Sequence, residues 1–211
     1  MMRRFGILLF AWTLFAQSPL KFMGRTVTII SPGYEDKEHM FPNGPATICL
    51  EGSPRQCYTA PKDRGGDPHA IIVQVNPSIS AIFFSAASGG VSGIAIHFAL
   101  VRPGRRNELE NLFPADLEIS NQGQHAWWTD SSISDAKIFL SAEYNWGPGE
   151  GHYDNHRYIV SAWALHDDSY HLEDRYMTAR KYDTEKDHVL DTEKPEILAR
   201  LKRVKQQSPR Q

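Results

Sequence analysis

The sequence predicts a mostly β protein: an antiparallel β-sandwich or open barrel of about nine strands, followed by a C-terminal amphipathic helix. Three observations predict it. Short segments rich in β-branched and aromatic side chains recur along the chain, divided by clusters of Gly, Pro, Asn and Asp, the pattern of an all-β domain. Several of these segments alternate side-chain character with the period of two that a strand imposes. After Tyr182 the composition changes to helix-forming, strongly charged residues.

At the N-terminus, residues 1–18 read as a secretory signal peptide. Arg3 and Arg4 precede an apolar run from Phe5 to Phe15, and Ala16-Gln17-Ser18 forms a small-residue exit. A bilayer-spanning helix needs about 20 apolar residues, and Gln17, Ser18, Pro19 and Lys21 interrupt this run too early. Cleavage is expected near residues 17 to 19, where no cysteine stands to carry a lipid. The expected address is the periplasm or the medium, with no membrane span in the mature form. Residues 19–182 then form the β-rich domain, and 183–211 a helical segment with a frayed tail.

The strand candidates are 25–31, 46–50, 70–75, 81–87, 93–102, 124–130, 136–146, 156–166 and 171–182. Nine strands suffice for two sheets. In 136–146 the residues Ile138, Leu140, Ala142 and Tyr144 alternate with Lys137, Ser141 and Glu143, which predicts burial mainly on one face, Phe139 being the exception. Segment 156–166 is apolar on both faces at its centre, as in a strand covered on both sides. Segment 171–182 carries Glu173, Asp174, Arg175, Arg180 and Lys181, which suits a sheet edge. The short Asp167-Asp168-Ser169-Tyr170 connection makes these last two strands a hairpin. Pro195 is expected to open the C-terminal helix, with Ile197, Leu198, Leu201 and Val204 on one stripe that docks on the sheet or on a partner.

Charge and motifs exclude several functions. Removing residues 1–18 takes 23 basic residues to 21 against 25 acidic, a net charge of −4, so no basic field draws nucleic acid. The Arg200–Lys205 cluster reads as a solvated helix face. Cys49 and Cys57, the two cysteines of the chain, flank a turn and are expected to form a disulfide in an exported protein. Gly89-Gly90-Val91-Ser92-Gly93 lacks the spacing of a hydrolase nucleophile elbow. No Walker loop, dinucleotide fingerprint or His-Glu-x-x-His is present. No cofactor is predicted.

The segment 144–158 concentrates polar and aromatic residues around Gly147, Pro148, Gly149 and Gly151, which makes it a loop and the first candidate site. Trp127, Trp128, Trp146, Tyr153 and Arg157 are the candidate ligand-binding residues, because an exposed ring presents a rigid face with a polar edge to a sugar or a protein. Trp127 and Trp128, adjacent on a strand, must face opposite sides, one into the core. The leading reading is a non-enzymatic β-sandwich that binds a carbohydrate polymer or an envelope protein through loop 144–156. One alternative is a metal-dependent enzyme with zinc or iron on His152, His156, Glu150 and Asp154. On an extended strand His152 and His156 stand about 13 Å apart, so that site needs the loop to fold back, with His97 or His125 as a third ligand. The other alternative is a structural partner domain whose contact surface is the helix.

Overall fold

All nine predicted strands form, and four short ones join them. The computed structural model describes residues 19–34, 40–90, 94–105, 107–115, 117–120, 123–151, 153–183 and 186–207. The predicted signal peptide lies outside the described residues. In chain order the strands are β1 (Lys21–Phe22), β2 (Arg25–Ile30), β3 (Thr47–Leu50), β4 (Gln56–Thr59), β5 (Gly66–Asn76), β6 (Ile79–Ala87), β7 (Ala95–Pro103), β8 (Leu109–Asn111), β9 (Glu118–Ser120), β10 (Gln124–Trp128), β11 (Ile138–Asn145), β12 (Arg157–His166) and β13 (Ser169–Met177), followed by helix α1 (Val189–Gln207). The unpredicted strands β1, β4, β8 and β9 have two to four residues each. That is too short to display a period.

The strands build three antiparallel sheets, a sandwich as expected but with one layer more than the two for which nine strands suffice, and no barrel closes among the described residues. An N-terminal sheet runs β1-β2-β3-β4, a middle sheet β5-β6-β7-β8 with β9 also on β7, and a C-terminal sheet β10-β11-β12-β13. The extra layer follows from β6 and β7, whose residues are apolar in both alternating sets. Ile82, Phe84, Ala99 and Val101 pack with Ile48 and Leu50 of the N-terminal sheet. Phe83, Phe98 and Leu100 pack with Phe139 and Tyr170 of the C-terminal sheet. Helix α1 covers the remaining face of that sheet, burying Val189, Leu190, Ile197 and Leu201 against Leu140, Tyr158 and Val160. The order of layers is therefore sheet, sheet, sheet, helix.

Three sequence expectations need correction. Strand β11 is buried on both faces, because Phe139 points to the middle sheet while Ile138 and Leu140 point to the helix. Strand β13 ends at Met177, not 182. The chain then turns back, so that Tyr182 bridges to His156 through two backbone hydrogen bonds of 2.8 and 3.0 Å. The helix begins at Val189 and contains Pro195 inside it. Its start is set from a distance: Gln124 Oε1 of β10 accepts from the Val189 amide at 2.8 Å, and Gln124 Nε2 donates to the Asp187 carbonyl at 2.9 Å. The first of these satisfies an amide that a helix N-terminus otherwise leaves open, and the second anchors the residue leading into it.

Other expectations hold. Strands β12 and β13 pair as a hairpin, with His166 opposite Ser169, and β13 lies at the sheet edge. Cys49 and Cys57 are direct cross-strand partners joined by a disulfide. Among the described residues no helix is long and apolar enough to cross a membrane.

Candidate functional site

The loop between β11 and β12 is organised around one carboxylate. Pro148 and Gly149 turn the chain, with Gly149 at a φ of 77° that favours glycine. Glu150 is thereby folded back over Gly147, where a side chain would put its Cβ 2.6 Å from Glu150 Oε1. Glu150 Oε2 accepts from the Gly147 amide at 2.7 Å and from His156 Nδ1 at 2.8 Å, and Oε1 pairs with Lys181 Nζ at 2.6 Å. Lys181, the Gly147 amide and His156 together hold the Glu150 carboxyl down at about 2. An ionised carboxylate can only accept, so the proton of the His156–Glu150 contact resides on Nδ1. His156 Nε2 is buried and has no hydrogen-bond partner among the described residues.

Aromatic rings complete this corner. The fully buried His156 ring stacks on Tyr144 at 4.6 Å and an interplanar angle of 24°. Trp146 leans on both, 4.8 Å from His156 and 5.8 Å from Tyr144, yet remains 53% exposed. Tyr153, further along the loop, is 86% exposed. The result is an indole buttressed by Tyr144 and His156 and about half exposed.

The remaining predicted residues divide among other places. Trp127 faces the layer between the middle and C-terminal sheets, stacked on Phe113 at 5.8 Å. Trp128 faces the helix layer, with Lys194 Nζ 4.9 Å above its ring. Neither contributes to the loop platform. Arg157 pairs with Asn145 on β11, so the strand pleat directs it to the face opposite Tyr144 and Tyr158. Asp154 is exposed and accepts from the Gly151 amide at 2.5 Å. His152 lies outside the described residues.

The histidines considered as further ligands occupy other layers. His97 is fully buried beside the N-terminal sheet, its Nε2 2.9 Å from the Tyr58 hydroxyl and its Nδ1 4.0 Å from Glu118, which Arg64 clamps at 2.8 and 2.9 Å. Burial lowers its pKa. His125, an exposed residue, rests its ring against Phe83, Phe98 and Phe139, 4.8 Å from Phe98, and their desolvation lowers its pKa as well. Among the described residues no group of three or more His, Cys, Asp or Glu is placed to hold a metal ion.

A concavity away from the loop has no signal in the sequence. The hairpin turns at the other end of β12, about 30 Å from the loop at strand rise, line a cleft of about 790 Å³ that includes Met23, Ile79, Arg102, Arg105, Glu110 and Asp168. Arg102 Nη2 meets Asp168 there at 2.8 Å. These residues come from four turns far apart in the chain, and only the folded sheets bring them together.

No protein-family model matches the chain, and comparison with curated proteins and with solved structures gives no match. The residues and their geometry therefore carry the functional reading.

Proposed function

We propose that the chain is a non-enzymatic binding module that works outside the cytoplasm and holds a saccharide polymer on the loop between β11 and β12. The observation that carries this reading is Trp146, half exposed while its ring is buttressed by Tyr144 and His156. A rigid indole loses little freedom when a ligand stacks on it. Tyr153 offers a second exposed ring on the same loop, and Lys181, half exposed beside Glu150, offers a donor for hydroxyl or carboxylate groups.

The extracytoplasmic address rests on the signal-like N-terminus and on the Cys49–Cys57 disulfide, a bond that persists in oxidising compartments. The binding role, rather than metal catalysis, is supported by what Glu150 and His156 already do. Lys181, the Gly147 amide and His156 Nδ1 occupy the carboxylate oxygens, which commits Glu150 to bracing the loop. Retention of the mature chain on insoluble peptidoglycan and on a panel of immobilised polysaccharides tests the reading. Wild type is expected to be retained on at least one polymer, with Trp146→Ala about tenfold weaker, roughly 1.4 kcal/mol. Absence of retention on every polymer contradicts it.

A further inference from the structure

We propose that the open edge of β5 pairs with β5 of a second copy of this chain, joining two middle sheets into one. The middle sheet is closed on its β7 side, where β8 covers Val101–Pro103 and β9 covers Ala95–His97. On its other side β5 is the terminal strand, and at 11 residues it is the longest strand among the described residues. Its regular part, His69–Gln74, is hydrogen-bonded to β6 along one side. Beyond it, the Val75 carbonyl is taken by the Lys137 amide at 2.7 Å. Among the described residues, no backbone hydrogen bond from another segment reaches the outer side of His69–Gln74.

An uncovered edge is a template for another strand, and proteins ordinarily block it with charge or proline. The edge strand β13 follows that rule with Glu173, Asp174 and Arg175. By contrast β5 confines its charge and its proline, Asp67 and Pro68, to its start; from His69 to Asn76 it has no Asp, Glu, Lys, Arg or Pro, and it exposes Ile71 and Ile72 by 42% and 41%. Strand β2, which approaches β5 without pairing to it, ends in Ile29 and Ile30, both exposed as well. The lack of charge is what selects a second copy as the occupant. Antiparallel self-pairing sets each residue opposite one from the same short segment, and like charges there are repulsive. Here Ile, Val, Ala, Gln and His meet one another. A two-fold related contact of this kind is closed and self-complementary.

The pleat restricts the register. Directly opposed residues of an antiparallel pair share a face, and a two-fold axis normal to the sheet preserves the faces of both copies. The axis must then pass through a residue rather than between two. Within the regular segment it passes through Ile71, setting Ala70 against Ile72 of the other copy, or through Ile72, setting Ile71 against Val73.

Sedimentation velocity of the mature protein across micromolar concentrations tests the pairing. Wild type is expected to shift from monomer to dimer, and Ile71→Lys or Ile72→Lys to remain monomeric with unchanged far-UV circular dichroism. Both side chains are already exposed, so either lysine is tolerated by the fold. Because the native cysteines are both used in the disulfide, an added cysteine reports the register. Either Ile71→Cys or Ile72→Cys is expected to cross-link two copies under mild oxidation, and Gln74→Cys is not. A wild type that stays monomeric, a lysine variant that still dimerises, or equal cross-linking at all three positions overturns the proposal.

Discussion

Glu150 and His156, six residues apart on one loop, meet at 2.8 Å with the carboxylate bonded at the same time to Lys181 and the Gly147 amide. This contact converts a glycine-rich connection into a fixed support for Trp146. It also makes the loop sensitive to acid. The Glu150 carboxyl titrates at about 2, below its ordinary 4.5. Its stabilisation is thus complete above about pH 5 and is lost as pH falls through 4.5 toward 2. Thermal melts of Glu150→Gln should show a shallower loss of Tm than wild type between pH 5 and 2. Equal slopes would mean that the contact does not persist in solution.

The helix depends on a side chain 65 residues before it. Gln124→Ala leaves the Val189 amide and the Asp187 carbonyl without their partner, and should cost about 1 kcal/mol, the usual worth of a helix cap. Urea unfolding measures it. A change below a few tenths of a kcal/mol would show that water replaces the glutamine without loss.

Arg25 ties the β3–β4 turn to β2. Its guanidinium donates to the carbonyls of Glu51 and Leu50 and to Gln56 Oε1, each at 2.8 Å, and to the Pro54 carbonyl at 2.6 Å. Lysine carries the charge without the planar fork, so it cannot reach four acceptors spread in this way. Arg25→Lys is expected to destabilise the protein by about 2 kcal/mol in the same urea assay.

The disulfide crosses that hairpin. Cys49→Ser with Cys57→Ser removes a constraint on a short loop and should lower stability by about 2 to 3 kcal/mol. Reduction of the wild type should produce the same shift in denaturant midpoint. A reduced wild type as stable as the oxidised one would remove the structural role of the bond.

Local pattern was enough to find the long strands, the β12–β13 hairpin, the charged edge at β13 and the Cys49–Cys57 pair, since each rests on neighbouring residues. What it concealed is set by contacts distant in sequence. The third sheet follows from the two-sided packing of Phe83 and Phe84, and alternation of one strand cannot show how many layers surround it. The helix start follows from Gln124, which lies on β10. In the candidate site, the loop was legible from its glycines and Pro148, but which tryptophan is exposed was not, because exposure depends on the layers packed around each ring. The roles of Lys181 and Tyr144 required the return of the chain that pairs Tyr182 with His156. Adjacent tryptophans suggested one exposed ring at 127 or 128, but α1 covers the outer face of the C-terminal sheet and leaves neither on the loop platform.

The most direct measurement of the binding role is intrinsic fluorescence during titration with solubilised peptidoglycan and with the polysaccharide that retains the protein best. Stacking on Trp146 should quench or shift the emission of wild type, and Trp146→Phe should abolish that change while the ring retains weak binding. An identical spectral response in Trp146→Phe, or none in wild type at saturating polymer, would contradict the account.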